Sequence, residues 1–213
     1  MGKLAKLHDI YDQMNKNINH QFRRSCYYPF PRNLCFPEEI PILKKWAQGK
    51  RSLVEIGVFE GCSARAIRSV MHDEATLHLI DPFVCDSMNK ELKARRWMAW
   101  LNISLIKRGH IMWHRDYSHR VVKKWNQEID FIFIDGDHSE ESCFFDWVEW
   151  SPFVTRGGVI IFHDARYGVS DGKYWDGWEG PTNVVKKLFK SSNRIVGWEI
   201  VDEVGTVVVV KRS

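Results

Sequence analysis

Two short runs in which every side chain is apolar, Phe131-Ile132-Phe133-Ile134 and Val159-Ile160-Ile161-Phe162, constrain this chain more than any other feature. A strand that is apolar at every position must be buried on both faces, as in the middle of a parallel sheet covered by helices; a sheet with one wet face would alternate instead. Each run is followed at once by charged residues, Asp135-Gly136-Asp137-His138 after the first and His163-Asp164 after the second. Such residues stand at the carboxyl ends of central strands, where open α/β sheets bind their ligands.

The rest of the chain fits that frame. Between Arg51 and the C-terminus, β-branched or aromatic runs alternate with helical stretches, the pattern of strands joined by crossover helices. Strands are expected at 52–56, 76–80, 110–114, 130–134 and 158–162, with helices at 63–71, 89–105, 118–125 and 140–150. A further helix over 182–189 precedes two strands, 194–201 and 206–211, joined by Asp202-Glu203-Val204-Gly205. That short, glycine-containing link predicts an antiparallel pair at the end of the sheet, seven strands in all. Residues 1–49 differ in composition: Leu4, Leu7, Tyr11, Met14 and Ile18 have amphipathic helical spacing, a Tyr27-Tyr28-Pro29-Phe30-Pro31 loop follows, and 38–47 reads as a second helix. They are expected to form an extension packed on the single domain of 50–213.

Composition removes several function classes. With 213 residues, 44% of them hydrophobic, the chain can bury a core without disulfides or a structural metal. No apolar run approaches the length of a membrane span, and the charged and polar N-terminus argues against a secretory leader. The five cysteines form no C-x-x-C pair, which suits a reducing, cytoplasmic setting. The net charge of +4 is spread over dispersed basic pairs, so no nucleic-acid footprint stands out. The unusual number is ten tryptophans, eight of which fall on expected helices and strands or their ends.

The segment Glu55-Ile56-Gly57-Val58-Phe59-Glu60-Gly61-Cys62-Ser63 is a ligand-binding strand-to-helix turn. Gly57 suits the tight turn and Gly61 a close backbone approach at the helix start. Phe59 stands where a dinucleotide fingerprint needs its second glycine, and no Gly-Lys-Ser/Thr follows, so neither pyrophosphate nor triphosphate cradle is present. A smaller zwitterionic ligand fits, its ammonium near Glu55. Asp81, ending the second strand, is placed to accept hydrogen bonds from ribose hydroxyls. Asp116-Tyr117-Ser118, after the third strand, is placed to meet an adenine edge.

This ordered set of motifs, E-x-G-x-x-x-G-x-S, Asp81, Asp116, Asp135-Gly136-Asp137-His138 and Gly157-Gly158 through His163-Asp164, resembles the class I S-adenosylmethionine-dependent methyltransferases. Within them it resembles small metal-dependent O-methyltransferases related to macrocin and mycinamicin sugar methyltransferases and to cephalosporin-hydroxylase-like proteins. The resemblance implies a Rossmann-like methyltransferase fold and binding of S-adenosylmethionine by Glu55, Gly57, Gly61, Ser63, Asp81, Asp116 and Tyr117. It further implies a divalent cation such as Mg²⁺ on Asp135 and Asp164, with His163 as a third candidate ligand, and His138 as the base beside Asp135. Several relatives carry an acidic pair where this chain has His163-Asp164, which unsettles the ligand set.

Simpler roles compete at some positions. Asp137 and Glu140 have the spacing of a helix capping box, His163 can be a hydrogen-bonded strand-end histidine, and Asp146 and Glu149 read as a solvated helix face. The long segment after the fifth strand, with Tyr167, Trp175 and Trp178, is expected to wall a substrate site above the metal, Tyr27, Tyr28 and Phe30 being a weaker opposite wall. The expected acceptor is a small hydroxylated molecule, sugar-like or aromatic, and the N-terminal helix is a candidate homo-oligomer contact. Two alternatives stand beside this reading: nucleic-acid methylation, disfavoured by the absence of an Asn/Asp-Pro-Pro-Tyr clamp, and a non-methylating relative that binds the cofactor.

Overall fold

The computed structural model describes residues 38–83, 96–169 and 177–213. Helix α1 (Glu39–Ala47) leads into β1 (Ser52–Ile56), α2 (Cys62–Arg68), β2 (Thr76–Ile80), α3 (Arg96–Ser104), β3 (His110–His114) and α4 (Ser118–Val121). Then come β4 (Ile129–Ile134), α5 (Glu140–Trp150), β5 (Val154–Phe162), α6 (Glu179–Val185), β6 (Trp198–Val204) and β7 (Val207–Arg212). The strands form one seven-stranded sheet in the order β3-β2-β1-β4-β5-β7-β6. Strands β1 to β5 run parallel, and β7 enters antiparallel between β5 and β6. This is the expected Rossmann-like methyltransferase topology with its antiparallel C-terminal hairpin.

The two apolar runs are neighbours: Phe131 pairs with Val159 and Ile134 with Phe162. Their alternate residues feed two cores. Phe131, Phe133, Val159 and Ile161 pack with Leu43, Ile67 and Ile103 from α1, α2 and α3, whereas Ile132, Ile134, Ile160 and Phe162 pack with Trp147, Trp150 and Val184 from α5 and α6. Both faces are therefore dry, as the absence of alternation required. The register also brings Asp135 and His163 level at the carboxyl edge, where His163 N–H donates to the Ile134 carbonyl at 3.0 Å.

Several boundaries differ from expectation. The C-terminal hairpin turns at Gly205-Thr206 rather than over 202–205, because Asp202, Glu203 and Val204 continue the ladder opposite Val209, Val208 and Val207 beyond an irregularity after Ile200. Helix α6 begins at Glu179, ahead of the expected Thr182, and so contains Pro181; a first-turn proline costs little, since its missing N–H would have no intrahelical partner. Strand β5 reaches back to Val154. The expected helix of residues 4–18, the Tyr27-Tyr28-Pro29-Phe30-Pro31 loop and Trp175 lie outside the described residues. Among the described residues, no helix is long and apolar enough to cross a membrane.

Candidate active site

A cavity of about 720 Å³ opens at the carboxyl edge of the sheet, lined by Gly57 and Phe59 after β1, Asp81 after β2, Tyr117 and Ser118 after β3, and Asp135 to His138 after β4. The turn after β1 owes its course to Gly57. Its φ is 84°, and a β-carbon there would stand 2.0 Å from the Asp135 carbonyl oxygen, so a side chain has neither the conformation nor the room. Asp81 staples the same turn: its Oδ2 accepts the Val58 and Phe59 amides at 2.9 Å each, and its Oδ1 accepts the Phe83 amide at 2.7 Å.

Not every residue expected at the cofactor site lines the cavity. Glu55 is wholly buried and accepts a hydrogen bond from Ser63 Oγ. Burial raises its carboxyl well above the usual range, an effect the Ser63 bond only partly offsets. Gly61 precedes α2 and packs against α3, where a β-carbon would meet Ile103 Cδ1 at 2.9 Å. Asp116 accepts the Tyr117 amide at 2.8 Å and pairs with Arg120 on the surface. Glu55, Gly61, Ser63 and Asp116 are thus a layer behind or beside the cavity, while Gly57, Asp81 and Tyr117 face it.

The acidic and histidine residues converge. Ligand atoms of Asp135, His138 and Asp164 lie within 4.8 Å of one another. His138 Nε2 is 3.2 Å from Asp164 Oδ2 and 3.6 Å from Asp135 Oδ1. Burial disfavours the charged ring, but the two carboxylates outweigh it and push His138 up to about 9. Burial likewise opposes ionisation of Asp135, yet the neighbouring His163 and His138 rings hold its carboxyl down to about 2. Asp164 adopts φ 54°, a left-handed conformation that turns the chain sharply out of β5.

His163 adjoins this cluster without being one of its three members. Its Nδ1 is 2.9 Å from Asp135 Oδ1 and its Nε2 is 3.1 Å from Glu39 Oε2, so both ring nitrogens are engaged behind the cluster. Burial works against protonation, but Asp135 and Asp164 raise the imidazole well above its ordinary value. Glu39, from α1, is itself 0% exposed and takes the Thr206 amide and hydroxyl on Oε1 at 2.8 and 2.7 Å. In place of the acidic pair of several relatives, this chain therefore has one carboxylate, Asp164, at the cluster and one histidine bridging to the N-terminal extension.

Of the expected aromatic wall, Trp178 stacks on His138 with ring centroids 5.4 Å apart and planes inclined by 19°. Its amide donates to the Asp164 carbonyl at 2.9 Å. A β-carbon on Gly180 would lie 2.2 Å from the His138 carbonyl oxygen, so α6 starts against the loop after β4. Tyr167 is half exposed, and its amide is tied to Thr182 Oγ1 rather than to the cavity. The cap of α5 is Ser139, whose Oγ accepts the Ser142 amide, while Asp137 accepts the Ser139 amide and Glu140 reaches away to Lys187 and Asn183. The Asp137/Glu140 pair is thus not a capping box.

Residues 54–165, from β1 through the turn that carries His163 and Asp164, match the methyltransferase domain family. The chain belongs to that family. Its fold is shared with an O-methyltransferase from Bacillus cereus solved with SAH, at 16% identity and TM-score 0.58 over 100% of this chain and 93% of that one. It is shared too with the O-methyltransferase TomG from Streptomyces achromogenes, solved with SAM, at 15% identity and TM-score 0.56 over 82% of this chain and 79% of that one. An uncharacterized protein of Acanthamoeba polyphaga mimivirus is 27% identical over 115 residues, 53% of this chain and 51% of that protein. The chain thus spans about half the length of this curated relative.

Sequence reasoning missed two residues of this site. Glu39 carried no local signal, because its partners His163 and Thr206 are remote in sequence. Asp146 carried one that was misread: it is only 7% exposed and lines the cavity, not a solvated face. With Cys143, Trp147 and Trp150 it occupies the buried stripe of α5, and an acid on an apolar stripe at helical spacing marks a carboxylate that faces inward.

Proposed function

We propose that this chain transfers the methyl group of S-adenosylmethionine to a hydroxyl of a small acceptor, sugar-like or aromatic, with help from a divalent cation such as Mg²⁺. The observation that carries the reading is the junction of the 720 Å³ cavity with the Asp135, His138 and Asp164 cluster. The fit to a cation rests on an orphaned atom: Asp164 Oδ1 is buried without a hydrogen-bond partner, and two carboxylates offer the hard oxygens such ions prefer.

Asp135 and Asp164 would hold the cation. When bound, it supplies Lewis acidity that lowers the pKa of the acceptor hydroxyl and offsets the carboxylate charge that otherwise keeps His138 protonated. The cofactor supplies a sulfonium-activated methyl, so the chain has mainly to align two reactants and remove one proton. Gly57 and the Asp81-stapled turn shape the cavity wall for the cofactor, with Tyr117 beyond them. Glu55 and Ser63 support that wall from behind. His138 takes the hydroxyl proton on Nε2, and Trp178 holds its ring by stacking. A cytoplasmic location fits the free thiol of Cys143.

Two measurements test the reading together. S-adenosylhomocysteine should raise the melting temperature, and labelled methyl should pass from S-adenosylmethionine into members of a catechol and sugar panel in a Mg²⁺-dependent manner. If neither cofactor nor product binds at millimolar concentration, the reading is wrong.

A further inference from the structure

Asp146 lies on the inner face of α5. Its Oδ1 accepts a hydrogen bond from Ser118 Oγ at 2.5 Å, which ties α5 to the start of α4. Its Oδ2 has no hydrogen bond among the described residues and lies beside Gly136, where a β-carbon would be 3.5 Å away. No lysine, arginine or histidine forms an ion pair with it among the described residues, and the charged neighbour felt most is another acid, Asp137. A carboxylate that is nine-tenths buried, faces a cavity and lacks a counter-charge is costly unless a ligand donates to it.

We infer that Asp146 reads the exocyclic amine of the cofactor's adenine, an assignment that rests on the S-adenosylmethionine reading above. Asp81 and Pro82 line the cavity at the end of β2, and Tyr117 and Ser118 line it at the end of β3, the next strand outward. A ribose at the first station sends its base toward the second, where Ser118 already touches Asp146. Phe145, next to Asp146 in sequence, is half exposed and lines the same cavity, an apolar ring suited to the flat face of a purine. An ionised carboxylate only accepts, and an exocyclic amine donates two hydrogens. A base with a carbonyl at that position would set oxygen lone pairs against the Asp146 lone pairs, and selectivity of this kind is strong because the buried group is left unpaired.

The test compares S-adenosylhomocysteine with S-inosylhomocysteine, which carries a carbonyl in place of the amine, by calorimetric titration of the full chain. The wild type should bind the adenosyl compound at least about tenfold more tightly, a difference of about 1.4 kcal/mol. Asp146→Asn keeps the shape but can donate, and should bring the two affinities within about threefold. Equal binding of both compounds to the wild type overturns the inference, whatever the variant does. So does an Asp146→Asn protein that keeps the wild-type ratio. Failure of both compounds to bind the wild type at millimolar concentration instead overturns the cofactor reading itself.

Discussion

His163 Nε2 lies 3.1 Å from Glu39 Oε2, a contact that joins the first described helix to the active-site edge across most of the chain. The opposite ring nitrogen meets Asp135 at 2.9 Å, so Glu39 fixes the imidazole that fixes the carboxylate. Glu39 also answers the Thr206 amide and hydroxyl in the turn between β6 and β7. Removing it leaves a buried imidazolium and a buried amide without their acceptor. Glu39→Ala should therefore lose about 3–5 kcal/mol in urea unfolding, whereas Glu39→Gln, which keeps the acceptor for Thr206, should lose clearly less. Equal loss in both variants would show that the Thr206 bonds contribute little and that the cost comes from the His163 contact.

Asp135 is the residue on which the cation and the proton transfer both depend in the proposed function. Asp135→Asn keeps the side-chain shape but removes the charge that His138 and His163 face. Methyl transfer should fall by about 100-fold or more. Mg²⁺ should raise the melting temperature of the wild type and leave that of the variant unchanged. A variant that still responds to Mg²⁺ would place the cation elsewhere.

How much was legible in the sequence follows from the range of the interactions. The strands at 52–56, 76–80 and 110–114 and the helix at 140–150 stand where periodicity put them, because burial on one or both faces writes itself into neighbouring residues. Asp135, His138 and Asp164 were legible for the same reason: each follows a strand whose register carries it to one edge. The hairpin turn was misplaced because Asp202 to Val204 look like turn residues, yet cross-strand pairing with β7 outweighs local preference. Glu39 was invisible, since nothing near it announces a partner on another strand.

Asp146 also makes a claim on stability. Burial, against the Ser118 hydrogen bond and with Asp137 nearby, pushes its carboxyl up to about 6. A raised carboxyl pKa means that the folded protein holds the proton more tightly than the unfolded chain. The associated stability is complete below about pH 4 and is lost as pH rises through about 6. Without ligand, Asp146→Asn should therefore gain on the wild type by about 2–3 kcal/mol between pH 4 and pH 7. Urea midpoints of the two proteins at several pH values measure this; a difference independent of pH would mean that the acid is ionised throughout.

The opposite dependence is expected from a histidine pair on β2 and β3. His78 Nδ1 and His114 Nε2 face each other at 2.9 Å on neighbouring strands, their rings stacked with centroids 5.2 Å apart. Trp125 closes over both. One hydrogen serves both facing nitrogens, so the pair is satisfied when neutral, and a further proton would set donor against donor. Burial first, and then the proximity of His114, lowers His78 to about 4; burial lowers His114 as well. The unfolded chain takes up protons near pH 6.5 that the folded protein refuses, so stability is complete above that pH and falls as pH drops toward 4. His78 alone should contribute a loss of about 2–3 kcal/mol over that window. His78→Leu, whatever its stability at pH 7, should show a flatter decline between pH 6.5 and 4 than the wild type, and parallel declines would mean that the pair is already open to protons when folded.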